Sequence, residues 1–73
     1  MTLADAKDGQ TVEVVDLLDE KVLVEGLRWG IINGSKIKVE KNISDGPVIV
    51  SKKHVEMAIG RELARKVIVK AVG

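Results

Sequence analysis

Few side chains in this sequence can do chemistry, and they fall in small groups. His54 and Glu56 stand two residues apart. On a strand that spacing puts both on one face, within reach of a shared metal ion. Asp16, Asp19 and Glu20 form an acidic corner of the kind that attracts divalent cations loosely. With one histidine and no cysteine, the ordinary reading of both groups is a solvated surface, and the metal candidates reduce to His54, Glu56 and Asp16. Ser35, Ser44 and Ser51 sit in no recognisable triad context around that single histidine, and no nucleophile emerges. Lys52 and Lys53, with Arg61, Arg65 and Lys66, can line a basic edge.

Trp29 is the only aromatic residue. One reading makes it a core plug in a chain with little other bulk. The other makes it part of a docking surface with Arg28, because Trp and Arg are enriched at interface hot spots. Around it, "GLRWGIINGSKIKVEK" places Gly26, Gly30 and Gly34 four apart. A membrane dimerisation stripe would need an apolar 20-mer, and Arg28 and Asn33 interrupt this one. A phosphate loop needs Gly-Lys-Ser opening a helix, whereas here Gly34-Ser35-Lys36 opens a strand. What survives is structural: Gly30 ends a helix and Asn33-Gly34 is a turn with left-handed positions.

The elements that must hold these residues follow from hydrophobic periodicity. "TLADAKDGQ" predicts a short helical turn, with Thr2 as cap and Asp5 three residues on. "TVEVVDLL" is a strand whose alternation slips phase after Val14, the mark of a bulge or of a strand bending between two faces. "DEKVLVEGLRWG" is ambiguous; Leu23 and Leu27 at helical spacing, Asp19 as N-cap and Gly30 as C-terminal stop favour a helix. "SKIKVEK" is the clearest strand, with Ile37 and Val39 inward and Lys36, Lys38 and Glu40 outward. "NISDGPV" is a turn. "VIVSK" and "HVEMAI" form a hairpin through Lys52-Lys53, with Val55, Met57 and Ile59 facing the core. "GRELARK" makes one helical turn and "VIVKAV" the last strand. Five short strands of this kind are too few for a sandwich but can curl into a small SH3-like barrel, mainly β.

Composition sets the bounds. Seventy-three residues make one domain, 1–73. Such a chain buries only about 60% of its unfolded surface, and without cysteine its stability rests on aliphatic packing. That size also leaves no room for a deep substrate pocket of ~300 Å³ or more, so an enzyme is not expected. Twelve Lys plus Arg against eleven Asp plus Glu give a net charge of +1, without the basic excess of a nucleic-acid module. Nucleic-acid binding by a small barrel is the alternative, and the lone tryptophan argues against base stacking. No apolar run approaches the ~20 residues of a membrane span, and the start "MTLADAKDG" has no signal-peptide core, which predicts a cytoplasmic protein.

The ordered set of elements resembles the FeoA family. "TLADAKDGQTVEVV" is similar to its opening. "LVEGLRWGIINGSKIKV" is similar to its most recognisable stretch, with Leu27, Trp29, Gly30, Ile31 and Gly34 at the matching positions. "DGPVIV" and "HVEMAIGRELARKVIV" continue the match to the end. Four positions depart from the pattern. Gly26 stands where leucine is common, Asn33 where proline is, and Trp29 where Leu or Met is. Gly60 replaces an arginine that often precedes the position of Arg61.

The resemblance implies an SH3-like barrel, no cofactor, and a cytoplasmic accessory role in ferrous iron uptake. The implied partner is FeoB, a membrane permease whose cytoplasmic part carries a GTP-binding domain. The SH3-like domain of DtxR-type metal-dependent repressors is the rival relation. A barrel face near the helix that includes Arg28 and Trp29 is the expected docking surface. Because an arginine supplied in trans can stabilise developing phosphate charge, Arg28 and Arg61 are the candidates for that role.

Overall fold

The computed structural model describes residues 1–72. Five antiparallel strands form one sheet: β1 (Thr11–Leu17), β2 (Lys36–Asn42), β3 (Val48–Lys52), β4 (Val55–Ile59) and β5 (Val67–Ala71). Their order across the sheet is β4-β3-β2-β1-β5. Helix α1 (Glu20–Trp29) connects β1 to β2, and the single turn α2 (Arg61–Ala64) precedes β5. The fold is mainly β with an SH3-like arrangement, as the strand pattern predicts.

Alternation puts one side of each strand inside. Val12, Val14, Ile37, Val39, Val48, Val50, Val67 and Val69 are all buried, joined by Leu3, Val22, Ile31 and Ile59. This is a core of β-branched side chains, which pack well on a pleated surface and need little χ1 freedom. Of the two readings of the phase slip in β1, the structure shows the bulge: Val14 pairs with Val69 and Asp16 with Ile68, leaving Val15 extra and half exposed. A second bulge falls in β2 between Val39 and Lys41. Both add local twist and help a short sheet to curl.

The N-terminal 3-10 turn Leu3–Asp5 forms as its capping pattern predicts. The Asp5 carboxylate accepts from the Thr2 backbone N–H at 2.9 Å and from the Thr2 hydroxyl at 3.0 Å. These bonds hold the Asp5 carboxyl below the usual carboxylate range, the backbone one most strongly. The segment also covers the outer edge of β5, through a Thr2–Ile68 bridge and a 2.9 Å bond from Val69 N–H to the Met1 carbonyl.

Asp19 caps α1 by accepting the Val22 N–H at 2.8 Å. Gly30, at φ 73°, closes it. Ile31 N–H then reaches the Gly26 carbonyl at 2.7 Å and Gly30 N–H the Leu27 carbonyl at 3.3 Å, the two bonds of a Schellman motif. The following turn differs from the sequence expectation. Gly34 has φ 93°, but Asn33 is not left-handed. Ser35 N–H bonds the Ile32 carbonyl at 2.9 Å, so only the third residue of this turn needs positive φ, the type II pattern.

The β3–β4 hairpin is a second departure. Lys52 pairs with Val55, so the turn residues are Lys53 and His54, with φ 51° and 69°. Positive φ at both positions marks a type I′ turn, which normally recruits Asn-Gly. Side chains other than glycine there store about 1–3 kcal/mol each. His54 therefore belongs to the turn and not to β4. Val55, expected inside, is 61% exposed because it flanks the hairpin tip, beyond the core that holds Ile59.

Candidate functional site

Helix α1 carries two apolar faces. Val22 and Gly26 are buried, and Trp29 is partly buried against the core, giving an inward stripe at i, i+4 and i+7. Trp29 shares a small apolar pocket with Leu17, Ile59, Leu63 and Val67 at the α1–α2 junction. Of its two readings, the structure shows the packing one. Gly26 permits this seat, since a Cβ there would lie 2.4 Å from the Ile31 carbonyl oxygen.

The other face is open. Leu23 is 43% exposed, Val24 51% and Leu27 60%. Along the helix surface, Leu23 and Leu27 form one i, i+4 ridge and Val24 and Arg28 the next. Leu18 before the helix and Ile32 after it are exposed as well. The leucine spacing that predicts the helix in the sequence thus identifies its outer face. The sequence reading names Arg28 and Trp29 but misses Leu23, Val24 and Leu27 as surface. Their signal was present as a second apolar stripe competing with Val22, Gly26 and Trp29.

Arg61 lies elsewhere and turns inward. Its Nε donates to the Gly46 carbonyl at 3.0 Å and Nη1 to the Ala4 carbonyl at 3.3 Å, while Nη2 donates to Asn42 Oδ1 and the Ile43 carbonyl. Asn42 Nδ2 in turn donates to the Ala4 and Ala6 carbonyls at 2.9 and 2.6 Å. One guanidinium ties α2, the β2–β3 turn and the N-terminal segment together. Arg28, exposed in the last turn of α1, makes no such network.

The acidic corner is also used by the fold. Asp19 pairs with Lys66 at 2.7 Å besides capping the helix. Lys66 first, then the Val22 N–H, holds the Asp19 carboxyl below its ordinary range, and the same pair raises the Lys66 ammonium. Asp16 accepts its neighbour Leu17 N–H at 2.9 Å. Among the described residues, no three His, Cys, Asp or Glu side chains converge as metal ligands do. His54 and Glu56 both line an open groove of about 560 Å³ along the outer face of the sheet. The groove is open along the face of the sheet and is not the deep enclosed pocket that a chain of this size leaves no room for.

Among the described residues, no helix is long and apolar enough to cross a membrane. The FeoA domain family model matches residues 1–71. A curated relative, Fe(2+) transport protein A of Methanocaldococcus jannaschii, is 44% identical over 69 residues, 92% of this chain and 82% of that one. A crystal structure of the iron uptake regulatory protein FeoA superposes with a TM-score of 0.91 at 29% identity, covering 99% of this chain and 97% of that one. The FeoA of Stenotrophomonas maltophilia in complex with zinc, an SH3 domain protein, shares the fold at TM-score 0.80 and 17% identity, over 96% and 89% of the two chains. The manganese regulator SloR shares it too, at TM-score 0.88 and 9% identity, over 99% of this chain and 34% of the regulator.

Proposed function

Because this chain belongs to the FeoA family, we propose that it is a cytoplasmic, non-enzymatic accessory of ferrous iron uptake that docks on a FeoB-type permease, at the part carrying the GTP-binding domain. The observation that supports this is the outer face of α1. Leu23, Val24 and Leu27 are held in water beside Arg28, on a helix whose opposite face already fills the core. Contiguous exposed apolar surface rimmed by charge is the usual signature of a protein-binding surface.

Leu23 and Leu27 supply apolar area to be removed from water on docking, a gain that must exceed the cost of immobilising the two partners. Arg28 at the rim supplies direction and a planar donor fork suited to carboxylate or phosphate. It is the better placed of the two expected arginines to reach across an interface, since Arg61 is engaged within the fold. Trp29 contributes from beneath by fixing the helix on the barrel.

The test is GTP turnover by the permease's soluble cytoplasmic part, with and without this protein, together with a direct binding isotherm. Binding weakened about tenfold or more by Leu27→Ser at unchanged stability supports the reading. Absence of both binding and any rate change ends it.

A further inference from the structure

The outer groove carries an excess of positive charge, four lysines against two glutamates, with Glu13 directly opposite Lys36 at its edge. Lys36 and Lys38 reach it from β2, Lys52 from the end of β3, and Lys53 and His54 from the hairpin turn. The register explains the convergence. Thr11, Lys38, Ser51 and Glu56 face one another in a single row across four strands, Lys36 lies one step further on the same face, and Lys53 of the turn lines the groove beside it. Four lysines here meet two glutamates, Glu40 and Glu56. Glu40 is already engaged, accepting from Ser51 Oγ at 2.5 Å and standing 4.0 Å from Lys38 Nζ. Lys52 donates to the Gly30 carbonyl at the end of α1. Among the described residues, Lys36 and Lys53 have neither ion pair nor side-chain hydrogen bond.

Two features here work against the fold alone. Like charges on neighbouring positions of one sheet face repel. The turn that delivers Lys53 and His54 holds both in left-handed backbone, where Asn-Gly would sit without strain. Strained backbone of this kind concentrates at ligand-binding positions. The groove volume lies within the ~300–1,000 Å³ of small-molecule sites. We infer that the groove bounded by Lys36, Lys38, Lys53 and His54 is a binding site for a small, multiply charged phosphate compound. The lysines act as point-charge donors to its oxygens, as they do at phosphate sites generally. Thr11 offers a hydroxyl and Glu56 a carboxylate to the non-phosphate portion, while the Ser51 proton is held by Glu40. The site stands independently of docking through α1, because it uses none of that face's exposed residues.

Inorganic pyrophosphate is the probe, titrated into the full chain at ionic strength held constant with sodium chloride and read by backbone amide and His54 ring shifts. Saturating shifts confined to Lys36, Lys38, Lys53 and His54 support the site. Shifts that rise without saturation, or spread equally to Lys7 and Lys70, indicate general screening and overturn it. The double variant Lys53→Asn with His54→Gly installs the favoured turn and removes one ammonium and the imidazole. It is expected to fold at least as stably while weakening pyrophosphate about tenfold; an unchanged affinity overturns the inference. Tighter binding of a polyglutamate peptide or a single-stranded oligonucleotide than of pyrophosphate would also overturn it, in favour of a macromolecular partner.

Discussion

The Asp19 carboxylate lies 2.7 Å from Lys66 Nζ while it accepts the Val22 N–H at 2.8 Å. One side chain thereby starts α1 and holds it to the segment leading into β5, where Leu18 N–H also bonds the Lys66 carbonyl at 2.9 Å. The two functions separate by substitution. Asp19→Asn keeps an N-cap oxygen and loses the ion pair; Asp19→Ala loses both. Since capping outweighs an exposed pair, the alanine variant is expected to melt clearly lower and the asparagine variant close to the parent.

Acidity acts through the same group. Asp19 and Asp5 both titrate lower in the fold than in the unfolded chain, through Lys66 and the Thr2 N–H respectively. On acidification the unfolded state takes up protons first. Their stabilisation is complete above the ordinary carboxylate range and disappears as pH falls through the depressed folded values. Lys66 works in the other direction, its contribution full below the ordinary lysine range and lost as pH rises beyond its raised folded value. Urea midpoints measured from pH 2 to 7 should decline at the acid end, and Asp19→Asn should flatten that decline. An equal slope in the variant would refute the assignment.

At Gly26, helix propensity and packing predict opposite signs. Alanine is better than glycine in an exposed helix interior by about 1 kcal/mol. In this chain a Cβ at residue 26 would stand 2.4 Å from the Ile31 backbone oxygen and 3.4 Å from Leu17 Cδ1. That carbonyl belongs to the residue completing the Schellman closure, so relief requires shifting the end of the helix. Gly26→Ala is expected to destabilise by about 1–3 kcal/mol, the range of overpacking. A gain measured by urea denaturation would show that the helix end moves freely.

How much was legible before the structure depends on what each residue answers to. Strands with one wet face read directly, because Ile37 and Val39 must alternate with Lys36 and Lys38 to be buried. Caps read directly as well, since Asp19 and Gly30 act through their own backbone. The orientation of α1 did not. Leu23-Leu27 and Val22-Gly26-Trp29 are both helical stripes, and only the close approach of Ile31 to Gly26 selects the second for the core. The role of Arg61 was equally hidden. Its acceptors are carbonyls of residues 4, 43 and 46 and the amide of Asn42, brought together by the fold. Lys53 and His54 carried no turn signal, because neither residue type favours left-handed backbone as Asn and Gly do.

Arg61 yields a prediction opposite to that for a docking arginine. Its guanidinium reaches four oxygens from three segments, a geometry an ammonium cannot reproduce. Arg61→Lys and Arg61→Ala should both destabilise, by about 1–3 kcal/mol for partly buried oxygens losing their donors. Thermal melts test this. Amide exchange should rise in the N-terminal turn and at Gly46 in both variants. An effect on partner binding without loss of stability would instead make Arg61 an interface residue.

The outer face of α1 supplies the complementary case. Leu23→Ser and Leu27→Ser remove apolar area that already faces water, so unfolding free energies should stay within about 0.5 kcal/mol of the parent. Val22→Ala, one position away on the buried face, should cost about 1–3 kcal/mol through the cavity it leaves. Binding to the permease's GTPase part should respond in the reverse order. Leu27→Ser should weaken it about tenfold or more if the leucine is an anchor. Val22→Ala should bind normally once corrected for the folded fraction. Arg28→Lys should retain the apolar contact but lose the bidentate fork, affecting GTP turnover more than affinity. Equal binding by all four variants would place the docking surface away from α1.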